Sequence, residues 1–156
     1  MQTRKSSGGQ KLTIDIQFAT PAIETAISNT ASPALIKKWV KSSTPLGGLL
    51  TLRFVNASEG KNLNHAFRKK AYATNVLTFP YQSNQDAVMA DLIFCLPVIQ
   101  KEAKAQDKSV KAHLAHLIVH GCLHAQGYDH MHAGEAKKME RLEIQLLQQL
   151  GFPNPY

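Results

Sequence analysis

Histidine is the residue type whose spacing in this sequence points to chemistry. Five of the seven histidines lie between positions 113 and 130. His120 and His124 are four residues apart, so on a helix their imidazoles project from one face, one turn apart. Gly127 is a typical helix terminator and would turn the chain so that His130 returns over that face. Three imidazoles suit Zn²⁺ and leave one position of its tetrahedron open, as in catalytic zinc sites.

We leave the other His, Cys and Asp residues of the sequence out of the predicted ligand set. His116, four residues before His120, remains an alternative ligand. Cys122 would point to the far side of the helix, where we expect a small buried hydrophobic side chain. Asp91 and Asp129 could orient a ligand ring, and structural roles are equally open to them. We assign the remaining histidines to the core or the surface: His65, His113 and His132.

The residue after the first histidine favours phosphodiester chemistry over peptide hydrolysis. The spacing H-x3-H-x2-G-x2-H is that of metzincin peptidases, in which a glutamate at this position acts as general base. Here the position is Gly121, which cannot accept a proton. Zinc can polarise a phosphoryl oxygen and bring the pKa of its water near ~7. Such a reaction also needs arginine or lysine side chains to neutralise the developing charge.

Basic residues are concentrated in the first half of the chain. Residues 1–70 contain eleven Lys and Arg against three Asp and Glu, and residues 71–156 contain seven against eight. A basic half suggests a polyanion such as nucleic acid as partner, although a solvated basic surface is the alternative. The apolar runs fall far short of the ~20 residues that span a bilayer, and residues 1–10 lack a signal-peptide pattern. Two cysteines make no disulfide framework, so we expect a cytoplasmic protein without a membrane segment.

The predicted elements place the histidines on a long helix of an α+β domain. We predict a flexible tail at 1–10 and a single metallo-hydrolase domain at 11–156. Hydrophobic periodicity and capping residues predict four strands, at 12–18, 49–55, 76–79 and 91–96. They also predict five helices, at 33–41, 61–67, 97–107, 109–126 and 134–150. The expected fold is a small mixed sheet of about four strands covered by about five helices, with a zincin-like metal helix. In the last helix, an apolar stripe is predicted to face the core: Met139, Leu142, Leu146 and Leu150.

The motifs together resemble the YbeY family, bacterial single-strand-specific metallo-endoribonucleases that mature ribosomal RNA. Residues 120–130 are similar to the family signature, and residues 63–64, Arg68, 74–80 and 90–93 are similar to its other blocks. The resemblance extends from about residue 12 to the end of the chain.

This resemblance implies one Zn²⁺ per chain, held by His120, His124 and His130. It also implies a functional arginine at Arg68, and we take Arg68 and the ligand His124 as the catalytic residues, assisted by the lysines at 69 and 70. The implied activity is metal-dependent endonucleolytic cleavage of single-stranded RNA in 16S rRNA 3′-end maturation and ribosome quality control. The implied partners are the small ribosomal subunit and its assembly factors.

Two alternatives stay open at this point. One is a metallopeptidase with metzincin-like spacing. The other is a ribosome-binding factor whose zinc is structural, with His116 or His132 as a fourth ligand. The sequence also leaves open whether water or the RNA 2′-hydroxyl is the nucleophile. Zinc is preferred because three imidazoles suit it, and nickel, copper or iron would also fit.

Overall fold

The computed structural model describes residues 11–68, 74–81, 87–128 and 133–156, apart from the side chains of residues 67, 68 and 133. The predicted tail at residues 1–10 lies outside them. The described residues form four strands and six helices. In chain order these are β1 (Leu12–Phe18), α1 (Pro21–Thr30), α2 (Pro33–Ser43), β2 (Gly47–Val55), α3 (Ala57–Arg68), β3 (Val76–Pro80), β4 (Ala87–Cys95), α4 (Leu96–Ala105), α5 (Val110–Ala125) and α6 (Ala133–Gln149).

The four strands form one mixed sheet in the order β1-β2-β4-β3. β1, β2 and β4 run parallel to one another, and β3 runs antiparallel to β4 at the edge of the sheet. β4 is buried on both faces: Leu92 and Phe94 enter the main core, and Ile93 and Cys95 enter a smaller cluster beneath α3. A strand covered on both faces has a continuous apolar run without polar alternation. The predicted α+β class and four-stranded mixed sheet are confirmed.

Helix α5 lies on the sheet and carries the histidines. Ser109 caps its start by accepting a hydrogen bond from the backbone N–H of Ala112 at 3.0 Å, and Gly127 follows its end with φ +98°. Most of its surface is buried in the main core. Gly121 faces the sheet, where a Cβ would lie 3.6 Å from side-chain carbons of Leu92 and Val76. Among the described helices, none has the length and apolar character to cross a membrane.

Several element boundaries differ from the predictions. Helix α1 is additional; Thr20 caps it by accepting from the N–H of Ile23 at 3.1 Å, and Ile23 and Ile27 are its buried residues. α3 begins four residues earlier than predicted, because the Asn56 side chain accepts from the N–H of Glu59 at 2.9 Å and starts the helix there. β4 also begins four residues earlier and ends one residue sooner, where α4 starts.

Candidate metal centre

Four histidines form a stripe along one side of α5: His113, His116, His120 and His124. The ring centroids of His120 and His124 lie 5.0 Å apart, with their planes at 70°. His116 lies 6.3 Å from His120 and 6.3 Å from His113. The predicted pair His120 and His124 therefore lies on one helix face, as its spacing requires.

Glu143 of α6 binds the middle of this histidine stripe. Its side chain is only 1% exposed. One oxygen, Oε1, lies 2.9 Å from Nε2 of His116, and the other, Oε2, lies 2.6 Å from Nδ1 of His120. The hydroxyl of Tyr156 also donates to Oε1. Burial by itself would raise the pKa of Glu143, but the hydrogen bonds from His116, His120 and Tyr156 together outweigh it and lower the pKa to about 2.

The ionised carboxylate determines where the two rings carry their protons. A carboxylate only accepts hydrogen bonds, so we infer that Nε2 of His116 and Nδ1 of His120 are protonated. In a neutral ring, the lone pair of His120 is then on Nε2. Metal-ligating histidines typically donate their other ring N–H to a carboxylate in this way. The His120–Glu143 pair thus fits a metal ligand.

The same reasoning disfavours His116 as a ligand. Its Nε2 is engaged by Glu143. Its other nitrogen, Nδ1, is buried and has no hydrogen-bond partner among the described residues. His116 therefore supports the carboxylate, and it has no ring nitrogen that is both unprotonated and accessible to an ion.

A second carboxylate, Glu102 of α4, binds the start of the stripe. Its Oε1 lies 2.9 Å from Nε2 of His113, and the side-chain amide of Asn75 donates to it at 3.1 Å. Asn75 also accepts from the backbone N–H of Val76 at 2.6 Å, so its observed contacts are structural. His113 is 4% exposed, so of the two locations left open for it, core or surface, it takes the core.

A cleft of about 330 Å³ lies beside the histidine stripe. His120 and His116 line one part of it, and Asn75, Lys108 and Tyr156 line others. The ring of His120 thus borders a cleft lined by both polar and apolar side chains.

Asp91 lies in β4 and accepts a hydrogen bond from the hydroxyl of Tyr81. The remaining predicted site residues lie at the edge of the described part of the chain or outside it. Arg68 is the last residue of α3, and its side chain is not described. His130, Asp129, His132 and the two lysines after Arg68 lie outside the described residues. Within the described part of the chain, no group of three or more His, Cys, Asp or Glu side chains is placed to hold a metal ion. A three-ligand site therefore needs a donor from beyond that part, where the predicted ligand His130 lies.

Cys122 is buried, as predicted. It is 0% exposed within the main core. Burial raises its pKa to about 12, despite an opposing contribution from Thr44. The side chain is therefore a neutral thiol enclosed by the core, in keeping with the expected small buried hydrophobic residue.

Sequence reasoning missed the groups that hold the histidines from outside α5: Glu143, Tyr156 and Glu102. A signal existed for Glu143, because it falls within the apolar stripe of α6, one residue after Leu142 and three before Leu146. A carboxylate on a core-facing stripe requires partners, which is a reason to look for a polar site opposite it.

Comparison with known proteins places the chain in a family. Residues 11–151 match the family model described as Endoribonuclease YbeY. The chain belongs to the YbeY family. This confirms the resemblance found in the sequence.

The sequence similarity to known proteins extends over nearly the full length of the chain. A protein of Polynucleobacter asymbioticus, named Endoribonuclease YbeY, is 70% identical over 96% of this chain and 97% of its own. A second YbeY, from Paraburkholderia phymatum, is 47% identical over 96% and 99%. The solution structure of a Thermotoga maritima protein aligns with a TM-score of 0.58 at 22% identity, covering 88% of this chain and 91% of that one. This last likeness concerns the fold alone.

Proposed function

We propose that the protein is a zinc-dependent endoribonuclease that cleaves single-stranded RNA. Membership of the YbeY family, whose relatives are named endoribonucleases, supports cleavage of RNA. The observation that carries the metal site is the hydrogen bond between Nδ1 of His120 and the ionised Glu143, with His124 one helical turn away. This bond leaves the lone pair of His120 on Nε2, as zinc coordination requires.

Each group of predicted site residues would have its own role. His120, His124 and His130 would hold one zinc ion per chain. When bound, zinc would polarise a phosphoryl oxygen and lower the pKa of a coordinated water. Glu143 accepts the Nδ1 proton of His120 and fixes the orientation of that ring. Arg68 and the two lysines that follow it would neutralise the phosphate as negative charge develops.

The structure around Gly121 argues against peptide hydrolysis. In zinc peptidases, the residue at this position brings a carboxylate towards the metal-bound water. Here a Cβ at Gly121 would face Leu92 and Val76 of the sheet, 3.6 Å away. A side chain at this position would thus enter the interface between α5 and the sheet. The structural-zinc alternative is weakened as well, because His116 is engaged by Glu143.

We propose that this activity serves 16S rRNA 3′-end maturation and ribosome quality control in the cytoplasm, with the small ribosomal subunit and its assembly factors as partners. The excess of basic residues in the first half of the chain supports a polyanionic partner. The role can be measured in bacteria that lack their own YbeY and carry either this gene or its His124→Ala variant. The parental gene should restore mature 16S rRNA 3′ ends and the variant should not.

The activity is tested with purified protein and one equivalent of zinc. We expect cleavage of end-labelled single-stranded RNA, little cleavage of the same sequence as a duplex, and none of an unfolded protein substrate. His124→Ala should abolish cleavage, whereas His65→Ala, which changes an exposed histidine of α3, should not. Peptide cleavage that is lost in His124→Ala, with RNA left intact, would overturn the proposal. A 2′,3′-cyclic phosphate on the products would exclude direct attack by water.

A further inference from the structure

The segment after α6, residues 152–156, is fastened beside the histidine stripe at two points. The ring of Phe152 packs edge-on against Trp39, with centroids 5.5 Å apart, and its N–H donates to the carbonyl of Leu147 at 2.8 Å. Further along, Nζ of Lys108 donates to the carbonyl of Pro155 at 2.6 Å. These contacts hold the end of the segment at the cleft beside the candidate metal centre.

Tyr156 makes two contacts with the site from this position. Its ring packs edge-on against His116, with centroids 5.4 Å apart and planes at 79°. Its hydroxyl donates to Oε1 of Glu143. Tyr156 as a whole remains 61% exposed, so it adds little to the core, and its polar end nevertheless reaches a carboxylate that is 1% exposed.

The hydroxyl bond bears on the orientation of His120 through the carboxylate plane. The last torsion of a glutamate side chain is broad, so the chain itself does not fix that plane. Donors on Oε1, from Tyr156 and His116, hold the plane and thereby keep Oε2 at 2.6 Å from Nδ1 of His120. With one of these donors removed, the carboxylate could rotate and the His120 ring would lose its fixed direction.

We propose that Tyr156 is a positioning residue: through Glu143 and the ring of His116, it sets the direction in which His120 presents Nε2 to a metal. The inference rests on the proposed function for the identity of the metal centre. Its first part, the control of the His120 ring, is independent of metal and can be measured in the metal-free protein.

The experiment compares Tyr156→Phe with a matched control and with a second route to the same effect. Tyr81→Phe is the control, because Tyr81 is also 61% exposed and its hydroxyl also donates to a carboxylate, that of Asp91. Lys108→Met keeps an aliphatic chain of similar length and removes the bond that fastens Pro155. Circular dichroism checks that each variant retains the fold.

Two measurements are made on each protein. Nitrogen-15 spectra of the metal-free histidine rings report which ring nitrogens are protonated and hydrogen-bonded. Competition with a chelator gives the zinc dissociation constant. Tyr156→Phe should shift the ring resonances of His116 and His120 and weaken zinc binding roughly threefold to tenfold. This is less than the roughly 10- to 100-fold expected when the direct partner of a metal-binding histidine is removed. Lys108→Met should act in the same direction, and Tyr81→Phe should change neither quantity.

Each outcome decides a different statement. Unchanged His120 resonances in Tyr156→Phe would overturn the positioning role. Shifted resonances with an unchanged zinc dissociation constant would overturn the link between Tyr156 and the metal. If the parental protein binds no zinc, the proposed function fails, and the ring spectra alone still decide whether Tyr156 orients His120.

Discussion

Replacing Glu143 by glutamine tests the reasoning on which the candidate metal centre depends. The substitution keeps the shape of the side chain and removes its charge. Glu143 receives three donors, from His116, His120 and Tyr156, and is 1% exposed. A glutamine amide can accept hydrogen bonds at its oxygen. Its NH₂ group is itself a donor, so at least one of the three donors would face it without an acceptor. A buried donor would then be left unsatisfied.

The pKa of Glu143 gives the size of the expected effect. The pKa falls from 4.5 to about 2 in the fold, because the hydrogen bonds outweigh the cost of burial. A shift of this size favours the charged form over a neutral one by an energy on the order of 3 kcal/mol. Glutamine imitates the neutral form, so Glu143→Gln should lose about that much free energy of unfolding. For a chain of this length, each kcal/mol lowers Tm by about 2–4 °C, which gives a fall of about 6–12 °C.

Thermal unfolding at pH 7 measures the stability change in the metal-free protein, and chelator competition measures zinc affinity. Glu140→Gln is the matched control, because it changes an exposed glutamate of the same helix. We expect zinc binding to weaken roughly 10- to 100-fold in Glu143→Gln and to stay unchanged in the control. A Tm within about 2 °C of the parental value would refute the energetic argument made from the pKa. A lower Tm with unchanged zinc affinity would reduce Glu143 to a purely structural group.

Three further predictions concern other parts of the site. Gly121→Ala should leave Tm unchanged or raise it, since its Cβ would meet Leu92 at an ordinary 3.6 Å and alanine favours helix by about 1 kcal/mol; a fall of several degrees would contradict this. At pH 8, Cys122 should resist a thiol reagent until denaturant is added, because burial raises its pKa to about 12; rapid labelling of the native protein would show an accessible thiolate. Arg68→Ala should slow RNA cleavage by about 10²-fold without changing zinc affinity, and a parental rate would remove its proposed role.

Rules that involve only residues close in sequence were sufficient to predict the part of the site that lies on α5. The four-residue spacing of His120 and His124 fixes their relation on any helix, and the rings lie 5.0 Å apart. Ser109 and Gly127 mark the two ends of that helix, as residues with their capping and left-handed preferences should. The alternating residues of β1 likewise gave its bounds. Each of these inferences depends only on neighbours within one element.

The groups that orient the histidines depend on contacts between elements. Glu143 interrupts an otherwise apolar stripe on α6, and only the packing of α6 against α5 reveals its partners. Tyr156 follows the last helix in a segment without periodicity, so no pattern places its hydroxyl. Helix α1 was missed for a different reason. Only Ile23 and Ile27 of its ten residues are buried, so its apolar stripe is too sparse to stand out.

The same contacts of the histidine stripe contribute to the stability of the fold and to the proposed metal binding. A helix buried on most sides would be destabilised by four imidazoles unless the ring nitrogens that lose water gain partners. Glu102 of α4 and Glu143 of α6 supply a partner for one ring nitrogen in each of His113, His116 and His120, so the bonds that orient these rings also attach the two helices to α5. A change at Glu143 should therefore lower stability and zinc affinity together. Changes at Gly121 or Cys122, on the buried side of the same helix, should alter stability alone.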